Sequence, residues 1–301
     1  MKSAHGHTQS PRKRCLQAIR FLLTALLSLA AIHAHAAETW IELEPGLHMA
    51  SFPVSITDIS GDSFTQEDGL TILRIQPAHY EFVLLTSSEK GIQLTPAQWA
   101  EQNNLIAVIN ASMYLPDNRK STGYLRNGDH INNDYINKRF GSFFVASPIP
   151  SPAASYNGTT ASAAKLPPAT ILDKQADDWE SMIPQYRIVV QNFRMINASR
   201  VPLWPEAGDE FSVAAIAMDN TQAILFIHCR PAVTVRDLTE LLLELPLGLQ
   251  RAMYVEGGPQ ASLHIRTDKI RNTWSGRHAG DFWSGTRTEW PLPNVLGIRK
   301  R

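Results

Sequence analysis

Three short segments put chemically capable side chains where apolar strands end. Tyr254-Val255-Glu256-Gly257-Gly258-Pro259-Gln260-Ala261-Ser262-Leu263 sets a carboxyl, Glu256, at a strand end. Two glycines follow it and let the backbone turn tightly or a ligand come close. A glutamate in such a place serves as acid, base or nucleophile. Ile227-His228-Cys229-Arg230-Pro231 ends a second strand in a guanidinium, whose planar fork matches anionic oxygens. Val108-Ile109-Asn110-Ala111-Ser112-Met113-Tyr114 caps a third with Asn110, and Gly123-Tyr124-Leu125-Arg126-Asn127-Gly128 comes next. Structural roles compete for the same residues. Glu256 also fits an ion pair with Arg230 or Arg251, Asn110 a turn, Arg230 an exposed position, and His228 strand-end packing in spite of its useful titration range.

Rival chemistries lack their motifs. Beyond the leader, His48, His79, His130, His228, His264 and His278 are far apart in sequence, and no Cys/His spacing suits zinc. There is no Gly-x-Ser-x-Gly elbow and no phosphate-binding loop of the Walker type. We therefore expect neither a metal nor a cofactor.

The elements that must position these residues are short and mostly extended. Leu70–Ile75 and Tyr80–Thr86 read as strands of a hairpin around Pro77, and Leu105–Ile109 as a buried strand. Thr95-Pro96 opens a helix to about Asn103, with Thr as cap and Pro in the first turn. Gly141–Ala146 and Arg187–Val190 are further strands, with a short amphipathic helix near Asp173–Met182 between them. Residues 147–170, rich in Pro, Ser, Ala and Thr, read as a flexible surface loop. Phe211–Met218 and Ala223–Cys229 flank a four-residue hairpin turn. Thr234 with Asp237 opens a helix to about Leu245, with leucines at 238, 241, 242 and 245. Arg251–Val255 and Ala261–Ile265 are strands on either side of the Glu256 turn. Strands and helices alternate without a strict βαβ rhythm. The expectation is an α+β fold: a mixed β-sheet with packed helices in a single large domain over residues 37–301.

The first 36 residues stand apart. A basic front (Arg12, Lys13, Arg14, Arg20) precedes an apolar run, Phe21–Ile32, and then Ala34-His35-Ala36, in signal-peptide order. The run is too short to span a bilayer, and no later stretch is long and apolar enough. The leader holds five of the 28 basic residues and none of the 28 acidic ones, so the remainder is acidic by five charges. That disfavours a nucleic-acid partner. One cysteine, Cys229, remains, so no intramolecular disulfide can form and the fold must rest on its core. It closes the apolar run AILFIHC and reads as a buried thiol. A periplasmic or secreted location follows.

Taken in order, the three segments and the Gly123–Gly128 turn resemble the phosphodiester glycosidase family over roughly residues 80–265. That family has an Asn-Gly-Gly-Phe-like stretch after a strand, a Gly-x-x-x-x-Gly turn, Asp-Gly-Arg before a helix, and Leu-Asp-Gly-Gly-Gly-Ser. Here Asn110 to Tyr114, Gly123 to Gly128, His228-Cys229-Arg230 and Val255 to Gln260 occupy those places. This chain has Glu256 for the Asp, Pro259 and Gln260 for the Gly and Ser, only Arg230 of Asp-Gly-Arg, and Ser212-Val213-Ala214-Ala215 where Ser-Arg-Thr-Ala is usual. It looks like a divergent bacterial branch.

The resemblance implies an exported hydrolase of a sugar–phosphate diester in envelope or extracellular polysaccharide metabolism. Glu256, Arg230 and Asn110 would be its catalytic residues, Arg230 holding the phosphate and Glu256 acting at the anomeric centre. Gly257, Gly258, Tyr114, Gly128, His228 and Ser262 would bind substrate, the glycines through backbone N–H groups. The Trp274–Gly285 tail, rich in Trp and Gly, offers either rings for stacking on sugar or core packing. The same features also fit a binding protein that holds a glycan or sugar phosphate without turnover.

Overall fold

The structure, a computed structural model, describes residues 40–57, 63–150, 155–156, 159–160, 166–277 and 289–301. The expected leader, and the tail from His278 to Thr288 with Trp283, lie outside the described residues.

Strands dominate. In chain order they are β1 (Ile41–Glu44), β2 (Leu47–Thr57), β3 (Ser63–Ile75), β4 (Tyr80–Thr86), β5 (Ala107–Asn110), β6 (Leu125–Asn127), β7 (His130–Asn133), β8 (Ser142–Pro148), β9 (Ser155–Tyr156), β10 (Thr159–Thr160), β11 (Ala169–Asp173), β12 (Tyr186–Ile196), β13 (Phe211–Asp219), β14 (Ile224–Val233), β15 (Leu249–Gly257), β16 (Ser262–Arg266), β17 (Arg271–Ser275) and β18 (Asn294–Lys300). The helices are few: α1 (Ser87–Lys90), α2 (Pro96–Gln102), α3 (Trp179–Met182) and α4 (Val235–Glu244).

A large sheet runs β1-β2-β3-β14-β13-β15-β12-β6-β7, with β8 on β12 and β11 on β8. A smaller one runs β17-β16-β5-β18-β4. Every pairing among the described residues is antiparallel. The expected mixed sheet is thus an antiparallel one, and the α+β expectation stands in a coarser form, a single domain dominated by its sheets with few helices. No helix of the described residues is long and apolar enough to cross a membrane.

The two sheets face each other across one core, drawn from both: Leu73, Ile216, Phe226 and Met253 from the large sheet, Phe82, Ile109, Leu263 and Leu296 from the small one. Phe82 meets Phe144 and Phe226 edge-on, at 5.3 and 6.2 Å between ring centroids. Such T-shaped contacts suit the ring quadrupole. All four residues of β5 are buried, because the strand is central in its sheet, with β16 and β18 on its two sides and side chains covered on both faces. Residues 41–301 pack as one unit.

Local chemistry sets the helix starts. Thr95 accepts from the Gln98 N–H and Gln98 returns the bond to the Thr95 N–H, a reciprocal capping box, with Pro96 in the first turn. Trp99 then donates to Leu292 O at 3.0 Å and ties α2 to the entry of β18. Thr234 caps α4 by accepting from Asp237 N at 3.0 Å, and Val235, Leu238 and Leu242 form its buried face.

Two expectations need correction. β3 and β4 are not a hairpin. β3 pairs with β2 and β14, and β4 pairs with β18 in the other sheet. Near Asp173–Met182 the chain is extended through Asp173, and only Trp179–Met182 is helical, followed by a 3-10 turn at Ile183–Gln185. Of the expected loop 147–170, the described residues include the end of β8, the start of β11 and the paired β9 and β10.

Candidate active site at the sheet crossover

The chain passes from the large sheet to the small one between β15 and β16, through a 3-10 turn at Gly258–Gln260. Two side chains from opposite sheets pin this crossover. Asn110, at the end of β5, donates from Nδ2 to Gln260 O at 3.0 Å and accepts from Ser262 N at 2.7 Å. His228, on β14, bonds Ala261 O at 3.1 Å through Nε2. A carbonyl only accepts, so Nε2 carries the proton. Burial pushes the ring down to about 4, so His228 is neutral at ordinary pH. Ser262 adds an Oγ–H bond to Gln260 O at 2.9 Å. Gly258 sits at φ +69°, the left-handed region glycine tolerates. A side chain at Gly276 would meet Gly258 O at 2.1 Å, so β17 closes on the turn only with glycine there.

Glu256 is the residue just before the crossover, in register with Ala214 of β13. Its Oε1 accepts from Gly257 N at 3.0 Å. Its Oε2 is shut away from water and has no hydrogen-bond partner among the described residues. Burial pushes the carboxyl up to about 8, against the smaller opposing pull of the Gly257 N–H. At neutral pH it is mostly protonated. Its charged form would be felt by two phenols, Tyr114 and Tyr254, both held above the ordinary tyrosine range by burial first and by Glu256 second.

The loop that carries Tyr114 is tied down from the large sheet, where Asn192 Nδ2 donates to Ala111 O at 2.8 Å. Asn192 Oδ1 and Ser112 Oγ are buried and have no partner among the described residues. Buried polar atoms are rarely left so, and these two lie on and beside the loop that carries Tyr114. Asn192 was missed in the sequence. The available signal was Gln191-Asn192, a polar pair inside the apolar strand Tyr186–Ile196.

The structure thus gathers Glu256 and Tyr114, with Asn110, His228, Gly257, Gly258 and Ser262 forming the frame of the turn beside them. Arg230 and Gly128 are placed elsewhere. Arg230 lies within β14 and lines a cavity of about 510 Å³ with Ser51, Gln66, Glu67, Asn272 and Trp274. The crossover turn packs on β13, between the strands of Arg230 and Glu256. The charge of Arg230 reaches His228 and helps depress it. Gly128 is at φ +59° in the β6–β7 turn, its N–H on Arg187 O at 2.8 Å. Along β12, Ile188 pairs with Asn127 beside that glycine, whereas Phe193 pairs with Tyr254 beside Glu256. Among the described residues no group of three or more His, Cys, Asp or Glu could hold a metal ion.

The fold is thus two antiparallel sheets with a half-buried carboxyl at the crossover between them. The family model for phosphodiester glycosidases matches residues 103–299, and the chain belongs to that family. The fold is similar to the catalytic domain of zebrafish N-acetylglucosamine-1-phosphodiester alpha-N-acetylglucosaminidase, solved in a form auto-inhibited by its pro-peptide. The TM-score is 0.60 at 11% identity, over 87% of this chain and 86% of that one. It is also similar to a hypothetical protein from Synechocystis, with a TM-score of 0.52 at 13% identity, over 87% of this chain and 63% of that one. No curated protein matches the sequence.

Proposed function

We propose that this protein is an exported, periplasmic or secreted, hydrolase that cleaves a glycosyl phosphodiester, with Glu256 as its general acid. The single observation that carries the reading is Glu256 itself: one oxygen buried without a partner and a carboxyl pushed up to about 8. The protonated carboxyl gives its proton to the phosphate oxygen as the bond from that oxygen to the anomeric carbon breaks. Water supplies the new hydroxyl at that carbon and returns a proton to the carboxylate. The products are a free sugar and a phosphate monoester. Asn110, His228 and Ser262 act by fixing the turn that aims Glu256. Tyr114, Ser112 and Asn192 offer hydrogen bonds to the sugar, and Gly257 and Gly258 offer backbone contact, while Gly128, whose N–H is held by Arg187 O, drops out. Arg230 holds the phosphate side of a substrate that extends toward the Trp274 wall. The leader and the net acidic remainder support export.

The test is release of free sugar from a panel of glycosyl phosphodiesters by the purified protein beside Glu256→Gln. Loss of a positioned acid lowers the rate by about 10²–10⁴-fold, with the fold unchanged by circular dichroism. Full activity in Glu256→Gln would sink the mechanism. A second reading is a binding protein on the same scaffold. It is favoured by Asn110 being spent on backbone bonds and by Val213 standing where the family's arginine is usual. It predicts glycan binding with no release from any substrate.

A further inference from the structure

A second cavity, of about 530 Å³, opens where the loop from Leu203 to Phe211 meets the start of α4. Its volume suits a small organic molecule. The walls combine three guanidiniums, Arg139, Arg194 and Arg236, with the rings of Phe193, Trp204 and Phe211, against one carboxylate, Asp209. The cations are unequally committed. Arg236 is held by Glu240 and by Trp204 O. Arg194 is paired with Asp173 through Nη1, while its Nε is buried with no acceptor among the described residues. Arg139 lies over the Phe193 ring, 5.8 Å from the centroid, and has no ion pair among the described residues. Stacking of this kind orients a guanidinium without neutralising it. Charge therefore remains uncompensated beside a half-buried tryptophan.

We infer that this cavity binds an acidic sugar, its anionic group on Arg139 and Arg194 and its apolar ring face on Trp204. An anion satisfies the buried Nε of Arg194 and the guanidinium of Arg139 together, and the adjoining ring gives a flat apolar contact for the body of the ligand. The choice of a sugar rests on the function proposed above; the need for an anion rests on the cavity alone. Glu256 is not among its walls. The nearest link is Phe211, a wall of the cavity whose ring lies against Gly257; the Tyr254 ring lies beside it, 5.3 Å from Trp204 and 6.3 Å from Phe211 between centroids.

Calorimetric titration of the full chain with glucuronate and with glucose 6-phosphate, beside neutral glucose, tests this. At least one of the two anions binds at least tenfold more tightly than glucose. The tighter of them tells whether a carboxylate or a phosphate is the natural group. Arg139→Ala and Trp204→Ala each weaken that binding at least tenfold, and both positions are open enough for the variants to fold. Glu256→Gln leaves it within twofold. Equal binding of glucose, no binding of either anion, or an Arg139→Ala protein that binds like the parent overturns the inference. A loss in Glu256→Gln as large as in Arg139→Ala overturns it too, because the ligand then sits at the crossover. Failure of the proposed hydrolysis shows instead as absent sugar release with this titration intact.

Discussion

Two carboxyls with buried oxygens, Asp219 at the end of β13 and Glu256 beside it on β15, are treated in opposite ways. Asp219 closes the strand at one end. Its Oδ1 accepts from Thr221 N at 2.8 Å, Thr221 Oγ at 2.7 Å and Ala223 N at 3.0 Å. Arg74 Nε lies 3.0 Å from its Oδ2, and Arg74 also donates to Leu247 O at 3.0 Å. The hairpin turn between β13 and β14 is wound around this one anion. Glu256, toward the other end of the strand, receives a single N–H and leaves an oxygen bare. Asp173 repeats the first pattern, with Arg194, Gln175 N and Ala198 N around it. Asp219 and Asp173 each combine an arginine with several donors, whereas Glu256 has one N–H and no ion pair among the described residues, which fits the chemical role proposed for it.

The largest expected effect is on the saturated side. Asp219→Ala leaves Arg74 and the turn donors without their anion, and costs about 3–5 kcal/mol in urea denaturation. A loss under about 1 kcal/mol would put Asp219 on a par with an exposed surface group.

The unsaturated side responds with the opposite sign. A carboxyl raised from its ordinary value to about 8 in the folded state binds more protons folded than unfolded between those two pH values. Stability thus falls as pH rises through that window and levels off above about 8. Glu256→Gln removes the ionisation. It is expected to match the parent near pH 4 and to be more stable by on the order of 3 kcal/mol at pH 8, measured by denaturant midpoints at both pH values. His228, depressed to about 4, acts the other way. It costs stability as pH falls below its unfolded value, in parent and variant alike, so it cancels from the difference.

A smaller change sharpens the same contrast. Thr221→Ala removes one neutral hydroxyl bond to Asp219 while the two N–H donors stay. It is expected to cost about 1 kcal/mol, with sugar release unchanged.

Much of the local architecture was legible in the sequence, because local chemistry fixes it. Thr95-Pro96 and Thr234 with Asp237 announce their helices through caps that the structure contains. The β13–β14 hairpin follows from a short polar turn between two apolar runs. Partnership between distant strands was not legible. Leu70–Ile75 and Tyr80–Thr86 look like hairpin arms, yet β4 pairs with a strand more than 200 residues later, β18, and nothing local distinguishes the two outcomes. For the same reason the mixed sheet was expected and an antiparallel one found. At the site, Glu256 and its glycines stood out as a polar break in an apolar run. That Asn110 and His228 reach across from two sheets to one turn depends on contacts between positions far apart in sequence.

The most direct measurement is the titration of the Glu256 carboxyl itself, by carbon NMR of protein labelled at glutamate side-chain carboxyls, with Glu256→Gln to assign the resonance. The account predicts one carboxyl that titrates near 8 and is missing from the variant. A Glu256 resonance that titrates in the ordinary range near 4.5 would contradict it and return this residue to the company of Asp219.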